Sequence, residues 1–343
     1  MRLEITNKEL PGAHADEIEA FLLLQPHNTV FQAPVFYQFY RRQPNANPVY
    51  LIARDAASSI QGVLLAVIIK EHKGIISSLT SRCVVHGGPV LNADDPDVLG
   101  VLLGGLNSFI GNKALFIQFR NFRDWPLPVK LVFEKHGFVL RDRLNAIIQL
   151  TNEQEMYSGL SASRRRQIKK ATQAGVSYRP AENMAEVSML YKILEDLYRN
   201  KVRKPLPDWS FFEGFFTYLV PRKAGIVLVV EAKEGIIGGI FAPLTRYKTI
   251  SELYVCGLDK TFPQYHPSIM ATWAAMDYGL RHGYTQFDFM GLGKPNVPYG
   301  VRDFKLRFGG DPVNYGRFAR RNNKVRYAIA ELGYNILRIF RKI

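Results

Sequence analysis

The 343-residue chain is long enough for two ordinary domains, and its 47% hydrophobic and 22% charged residues are typical of a globular protein. The net charge of +15 is concentrated, because residues 160–180 and 317–343 together carry +13 of it. Two basic segments on a near-neutral body predict an anionic partner: nucleic acid, a phosphorylated substrate or an anionic membrane surface. The alternative interpretation is two solvated helix faces.

The two cysteines, Cys83 and Cys256, lie far apart in apolar runs and show neither metal-ligand spacing nor a disulfide framework. The histidines show no ligand spacing either, so we expect no metal. The N-terminal residues lack the apolar core of a signal peptide, and no run of about 18 apolar residues occurs. These patterns predict a cytoplasmic protein without a membrane span.

Alternating β-branched residues and apolar residues at 3.6-residue spacing predict the elements of the first half. They are strand Arg2–Thr6, helices Ala15–Leu24 and Pro34–Arg42, strands Val49–Ala53, Ile60–Lys70 and Ile75–Val85, helix Asp95–Ile110, strand Ala114–Asn121, helix Val129–His136 and strand Leu144–Leu150. Leu144–Leu150 is expected to close a domain over residues 1–150.

The second half repeats this order after a helix that starts near Ser163. Its elements are strand Val176–Tyr178, helices Ala185–Arg199 and Asp208–Val220, strands Gly225–Glu231, Ile236–Leu244 and Ser251–Gly257, helix Pro267–His282, strand Gln286–Met290, helix Val301–Phe308 and strand Asn314–Arg320. The same order occurring twice indicates an internal repeat of about 150 residues. We therefore expect domains over 1–150 and 151–320, followed by a C-terminal helix over 321–343 that packs back on the body.

Three consecutive strands followed by a crossover helix and a further strand resemble the GNAT acyltransferase fold. The fold class expected is α/β with mixed sheets, as two tandem GNAT-like domains followed by a basic helix. In that fold a glycine-rich turn before the crossover helix brings backbone N–H groups to a pyrophosphate. Here the matching turn, Lys260–Ile269, has no glycine and contains two prolines, which lack N–H donors. The turn therefore argues against coenzyme A.

Several segments together resemble the FemABX family, whose members transfer an amino acid from aminoacyl-tRNA to a peptidoglycan precursor. The segments are the basic helix Ser163–Val176, the stretch Phe287–Gly310 with its Asp-Phe, Phe-Lys and Phe-Gly-Gly elements, Phe31–Pro34, Gly87–Pro89 and Tyr254. The resemblance covers most of the chain. The coiled-coil arm of some members has no counterpart, because 151–343 holds no spare heptad-patterned stretch of about 60 residues.

The resemblance implies that Phe304 and Lys305 contact the acceptor end of the tRNA, and it places Lys305, Asp288 and Tyr254 in the catalytic site. An aromatic face suits a base or ribose, and an ammonium suits a phosphate or a developing oxyanion. The alternative is a short amphipathic helix with Phe304 packed in the core and Lys305 in solvent. Strand alternation places Asp288 opposite its phenylalanine neighbours, where it could position an amine or accept hydrogen bonds from the following loop.

The resemblance also implies that Arg203 holds the diphosphate of the precursor, since arginine forks suit phosphates. A structural role at a helix C-terminus is the alternative. Arg41 lies near the position of a second phosphate-binding cation, and Arg302 is a further candidate for substrate binding.

The helix beginning at Ser163 supplies Arg164, Arg165, Lys169 and Lys170 as candidates for tRNA binding, because contact with a phosphate backbone needs charge more than sequence readout. The last helix has an apolar seam flanked by Arg and Lys. It either packs on the body or lies on the inner membrane surface.

The sequence thus predicts a monomeric aminoacyltransferase without a cofactor. Its partners would be aminoacyl-tRNA and a UDP- or lipid-linked peptidoglycan precursor, with peripheral contact to the inner face of the membrane as a further possibility. One alternative is a GNAT N-acyltransferase that uses acyl-CoA or acyl-carrier protein on a cell-envelope precursor. Another is a non-catalytic protein that binds RNA or a membrane surface.

Overall fold

The computed structural model describes residues 1–70, 81–202, 205–246, 248–322 and Tyr327. The start of the strand predicted from Ile75, the candidate ligand Arg203, and all of the predicted C-terminal helix except Arg321, Asn322 and Tyr327 lie outside these residues. Among the described residues, no helix is long and apolar enough to cross a membrane.

The elements up to residue 142 follow the predicted order closely. They are β1 Arg2–Thr6, α1 Gly12–Leu23, a 3-10 turn Val30–Gln32, α2 Pro34–Arg41, β2 Ala46–Arg54, β3 Ile60–Ile69, β4 Arg82–His86, β5 Val90–Leu91, a 3-10 turn Asn92–Asp94, α3 Pro96–Ile110, β6 Phe116–Arg120, α4 Leu127–Lys135 and β7 Val139–Arg141.

The elements that follow contain two short π-helical segments. They are β8 Leu144–Gln149, α5 Glu153–Gly159, α6 Ala162–Gln173, β9 Ser177–Pro180, α7 Met184–Leu197, π-helix Tyr198–Val202, α8 Trp209–Gly214, π-helix Phe215–Leu219, β10 Gly225–Ala232, β11 Gly235–Thr245, β12 Thr249–Ser251, β13 Tyr254–Gly257, a 3-10 turn Pro263–Tyr265, α9 Pro267–Arg281, β14 Gln286–Asp288, α10 Gly300–Leu306, β15 Pro312–Asn314 and β16 Arg317–Arg321.

The chain forms two compact units, which we call unit 1 (Met1–Asp142 with Tyr315–Ile343) and unit 2 (Arg143–Asn314). Unit 2 is therefore inserted into the chain of unit 1. This division differs from the predicted boundaries at residues 150 and 320, because β8 belongs to the sheet of unit 2 and β16 to that of unit 1.

The sheet of unit 1 has the order β1-β2-β3-β4-β6-β16-β7, with β5 beside β3. Its β4 and β6 are parallel, and its other neighbours are antiparallel. Long β-branched runs such as Ile60–Ile69 are buried on both faces. Helix α3 begins at Pro96 after Asp95, which caps it by accepting from two backbone N–H groups, and its apolar face enters the core.

The sheet of unit 2 repeats that order as β9-β10-β11-β12-β14-β8-β15, with β13 beside β11. Its one parallel pair, β12 with β14, corresponds to β4 with β6. The internal repeat predicted from element order is thus matched strand for strand. The two closing strands are exchanged: β8 precedes the rest of unit 2, whereas β16, its counterpart in unit 1, follows unit 2 in the chain.

Candidate active site

The two parallel strands of unit 2 separate at one point, and this point organises the site. Strands β12 and β14 pair from Thr249 to Ser251, and the backbone N–H of Glu252 donates to Asp288 O at 2.8 Å. After Glu252 the chain continues into β13, which pairs with β11. The segment after Asp288 turns instead towards β8, where Phe289 N donates to Ala146 O. The two chain segments are therefore paired up to Ser251 and Asp288 and separate after Glu252 and Asp288.

The side chain of Lys305, from α10, reaches this divergence. Its Nζ donates to Phe289 O at 2.6 Å and to Gly291 O at 3.4 Å, and it lies 3.0 Å from Glu252 Oε1 in an ion pair. The lysine side chain is 11% exposed and the glutamate side chain 2% exposed. The interpretation of Lys305 as a solvated helix residue is therefore wrong.

Glu252 is held from its other side by Thr272 on α9, whose Oγ1 donates to Glu252 Oε2 at 2.9 Å. One carboxylate oxygen thus faces α9 and the other faces Lys305. Sequence analysis missed Glu252, although an acid inside an apolar run was the same signal that drew attention to Asp288. Thr272 gave no signal, because a threonine on a helix is ordinary.

Asp288 is buried, and both of its assigned hydrogen bonds are made by one oxygen. Oδ1 accepts from Met290 N at 2.6 Å and from Asn145 Nδ2 at 2.8 Å. Burial raises the pKa of Asp288 above its ordinary value, against the opposing effects of these two donors and of the Lys305 charge. The hydrogen bond to Met290 is the contact with the following loop that the sequence allowed.

The third predicted catalytic residue, Tyr254, lies at the start of β13 in a cluster of aromatic rings. Its ring centroid is 5.1 Å from Phe212, 5.8 Å from Phe211 and 6.2 Å from Tyr198. Burial raises the pKa of Tyr198 to about 12, with further contributions from Tyr299, Cys256 and Glu252. Tyr198, which sequence analysis did not select, thus lies close enough to Glu252 to feel its charge.

The loop between β14 and α10 is shaped by left-handed backbone and fastened by Arg302. Met290 and Gly293 adopt φ of 58° and 84°. Arg302 donates from Nε to Leu292 O at 3.0 Å, and a second guanidinium nitrogen donates to Lys294 O. In this structure Arg302 therefore holds the loop, and its predicted contact with substrate stays a prediction.

Helix α6 presents its cations in two directions. Arg164 is 2% exposed, donates to Phe304 O at 2.8 Å, and lies over the rings of Phe304 and Phe308 at 4.6 and 4.3 Å. Burial lowers its pKa to about 10. Arg165 donates to Ser158 O and Leu160 O. These contacts fix α6 to its neighbours. The ring of Phe304 packs against the guanidinium group of Arg164.

Lys169 and Lys170 are exposed on α6, as is Arg166, which sequence analysis did not select. The predicted role of the helix in binding tRNA stays a prediction, and exposure favours these three cations over Arg164 and Arg165. Arg41 is exposed at the end of α2 in unit 1. Of the described residues, no group of three or more His, Cys, Asp or Glu side chains is arranged to hold a metal ion.

The N-terminus of α9 occupies the position at which a GNAT fold would hold a pyrophosphate, and its donors are already used. Pro267 has no N–H. Ser268 donates from N to Asp259 Oδ1 at 3.1 Å, and its hydroxyl donates to Asp259 Oδ2. The next two N–H groups, of Ile269 and Met270, donate to His266 O at 3.0 Å each. A carboxylate therefore stands where an anionic cofactor would bind.

Residues 160–306 match the family model described as an acetyltransferase (GNAT) domain, which identifies this part of unit 2 as an acyltransferase domain. The search of curated proteins finds no match for the chain.

Several solved structures share the tandem fold at low sequence identity. FemX matches with a TM-score of 0.72 and 14% identity over 95% of this chain and 99% of its own. The tandem GNAT protein from the clavulanic acid biosynthesis pathway matches with a TM-score of 0.57 and 10% identity over 94% and 99%. L-PGS from Bacillus licheniformis matches with a TM-score of 0.55 and 15% identity over 92% and 96%. The predicted fold class and the resemblance to FemABX proteins are confirmed.

Proposed function

Since the chain carries a GNAT acyltransferase domain within the tandem fold of FemX, we propose that it transfers an amino acid from aminoacyl-tRNA to an amino group of a peptidoglycan precursor. The observation that carries the proposal is the Lys305 ammonium held at the divergence of β12 and β14, in a unit where Asp259 closes the N-terminus of α9. The site offers a cation for acyl transfer without offering a backbone cradle for coenzyme A.

The proposed reaction is the attack of an amine on the ester of aminoacyl-tRNA. The amine attacks the ester carbonyl carbon, a C–N bond forms, the C–O bond to the ribose breaks, and the amine proton ends on the ribose oxygen. The residues would supply positioning and stabilise the oxyanion. The Lys305 contact with Gly291 O, at 3.4 Å, is the longest of its three, so this N–H can turn to a substrate oxygen at least cost.

Asp288 and Tyr254 complete the proposed catalytic set. Asp288 is held by the hydrogen bonds that its Oδ1 accepts from Met290 and Asn145, so its carboxyl group is fixed in a place from which it can position an amine. Tyr254 contributes one wall of an aromatic cluster beside Glu252. In this scheme both residues position the amine, and the reactants exchange the proton between themselves.

The acceptor would be UDP-linked or lipid-linked, and Arg203, Arg41 and Arg302 stay separate candidates for contact with its diphosphate. Such a protein would act as a monomer in the cytoplasm, at the inner face of the membrane when the precursor is lipid-linked. FemX and L-PGS share the fold of this chain at low identity, which fixes neither the acceptor nor the amino acid.

A second candidate is an N-acyltransferase that takes its acyl group from acyl-CoA or acyl-carrier protein. The match of residues 160–306 to the acetyltransferase (GNAT) domain favours it. The Asp259 carboxylate at the N-terminus of α9 opposes it in the coenzyme A form, because a diphosphate would be repelled there.

Mass spectrometry of a transfer reaction tests the proposal. The full-length protein is incubated with charged total tRNA and UDP-linked muramyl-pentapeptide, and a parallel reaction receives acetyl-CoA in place of tRNA. We expect an aminoacyl mass increment in the first reaction that RNase abolishes. An acetyl increment confined to the second would establish the alternative, and RNA binding without turnover would indicate a non-catalytic protein.

A variant of Lys305 connects the reaction to the site, with one structural precaution. Replacing Lys305 alone leaves the buried Glu252 carboxylate without its ion pair, so lost activity could reflect lost stability. The double variant Lys305→Met with Glu252→Gln removes both charges. We expect it to fold and to show no transfer, and wild-type rates in it would contradict the role of Lys305.

A further inference from the structure

The surface beside the closed N-terminus of α9 is built differently from a pyrophosphate cradle. Asp259 and His266 O take up the N–H groups of the first turn of α9, so backbone donors there are not offered to a ligand. The neighbouring helix α6 instead presents side chains. Ser163, Arg166, Gln167 and Lys170 share one face across two turns, because helix neighbours lie three and four residues apart.

These four side chains and His266 line a surface depression of about 320 Å³. His266 lines the side of the depression next to α9, and its backbone adopts φ of 49°. Burial lowers the pKa of His266, and the positive charge of Lys170, which lines the same depression, lowers it further. The depression is therefore shared between two elements of unit 2.

The two cations of the depression are available to a ligand. The side chains of Arg166 and Lys170 are exposed and make no ion pair or hydrogen bond with any residue that the structure describes. Gln167 uses its Oε1 to accept from Arg164 at 3.1 Å, which directs its amide N–H groups away from that contact. A guanidinium, an ammonium, a hydroxyl and amide donors around one depression form a donor set suited to a phosphate ester.

The arrangement favours RNA over coenzyme A as the source of the phosphate. An RNA backbone offers one charge at each nucleotide, spaced along a chain. The cations of α6 continue beyond the depression to Lys169, which lines a second depression whose other charged residues are Arg281, Glu153 and Asp277. A diphosphate would concentrate its charge next to Asp259, whose carboxylate lies close enough to influence both His266 and Arg164.

We propose that Ser163, Arg166, Lys170 and His266 form a binding site for a backbone phosphate of the RNA donor. The proposal rests on the proposed function for the identity of the donor. It adds Ser163, Arg166 and His266 to the predicted RNA contacts. In this proposal Arg164 and Arg165 hold α6 in place and do not bind RNA.

Fluorescence anisotropy with an uncharged RNA minihelix ending in CCA tests this site without requiring turnover. The full-length double variant Arg166→Gln with Lys170→Gln is compared with wild type over a range of salt concentrations. We expect a loss of affinity of about 10-fold or more and a salt dependence reduced by roughly one phosphate contact. The matched control, Lys192→Gln with Lys223→Gln, removes two exposed charges of unit 2 that do not line the depression and should change affinity by less than about twofold.

Equal losses in both double variants would overturn the site, since binding would then follow net charge alone. Wild-type affinity in Arg166→Gln with Lys170→Gln would overturn it as well. Saturable binding of coenzyme A that competes with the minihelix would assign the depression to the other source of phosphate and overturn the RNA proposal. Failure of the transfer reaction with selective loss of minihelix binding would refute the proposed function and leave this site standing.

Discussion

At the scale of single residues, the buried ion pair of Glu252 and Lys305 carries a large desolvation cost. Moving either charge out of water costs several kcal/mol, and the loss is offset only while the partner is present. Here the ammonium is also satisfied by two backbone carbonyls and the carboxylate by Thr272. The pair therefore fixes the position of the proposed catalytic cation as well as its charge.

Replacing Glu252 with glutamine should destabilise the protein by about 3 kcal/mol, because a buried cation loses its counter-charge. Adding Lys305→Met should recover much of the loss. Urea unfolding of the two single variants and the double variant gives the coupling energy between the residues. Losses that simply add would show that the two side chains do not interact.

Asp288→Asn should alter the pH dependence of stability. Burial raises the folded-state pKa of Asp288, so the folded protein holds this proton more tightly than the unfolded chain. Its contribution to stability is full below the unfolded pKa of about 3.9 and is lost as pH rises through the folded pKa. Relative to wild type, the variant should gain stability from pH 4 towards neutrality.

Chemical denaturation at several pH values measures this trend. Asp303→Asn, an exposed position in the first turn of α10, is the charge-matched control. A difference between Asp288→Asn and wild type that stays constant with pH would contradict the assignment.

Sequence alone identified some of these residues and missed others for a physical reason. Alternation along the strand predicted that Asp288 faces away from its phenylalanine neighbours, and its loop contact could be anticipated. Glu252 became meaningful only when the fold brought it to Lys305, far along the chain. Arg164 and Arg166 look equivalent in sequence, and only the packing of Phe304 and Phe308 against one of them separates their roles.

At the scale of elements, β13 and α9 approach each other closely at one glycine. A Cβ on Gly257 would lie 2.4 Å from Ser268 N and 2.8 Å from the carbonyl carbon of Pro267, both backbone atoms that cannot turn aside. The closed N-terminus of α9, with its Asp259 cap, therefore depends on the absence of a side chain at this position.

Gly257→Ala should destabilise unit 2 by at least about 2 kcal/mol through this overlap. Gly159→Ala is the control, because its added methyl group meets no atom within 4 Å. Thermal unfolding of both variants measures the difference. A Gly257→Ala protein as stable as the control would show that the strand and helix can separate without cost.

Element order was predicted well, whereas the sheet membership of the closing strands was not. Leu144–Leu150 and Asn314–Arg320 have the expected residue pattern, and the structure forms strands in both places. The second is divided at Tyr315, so that β15 pairs with β8 in unit 2 and β16 pairs with β6 in unit 1. Strand patterning indicates which residues are extended, and it carries no information on distant partners.

At the scale of the whole molecule, unit 1 is built from chain segments that precede and follow unit 2 in the sequence. Strand β16 lies between β6 and β7, and its Phe318 is buried against the ring of Phe133 at 4.0 Å. Unit 2, by contrast, is continuous from Arg143 to Asn314, and Arg143 N donates to Asn314 Oδ1 at 2.9 Å.

A chain ending at Asn314 should retain unit 2 and lose the order of unit 1. Hydrogen exchange would show unprotected amides in β6 and β7 and protected amides in β10 and β11. A chain ending at Asn322 keeps β16 and serves as the control, with protection expected in both units. Equal protection of β6 in the two truncated chains would show that β16 is dispensable.

The position of β16 has a consequence for biosynthesis. A ribosome adds roughly 5–20 residues per second, so the whole of unit 2 is made before the strand that completes unit 1, a delay on the order of 10–30 s. Throughout that time the nascent chain carries an uncovered edge at β6, which is the kind of surface that joins other strands and aggregates. Unit 2 can finish folding first, whereas unit 1 completes its sheet only after β16 has left the ribosome.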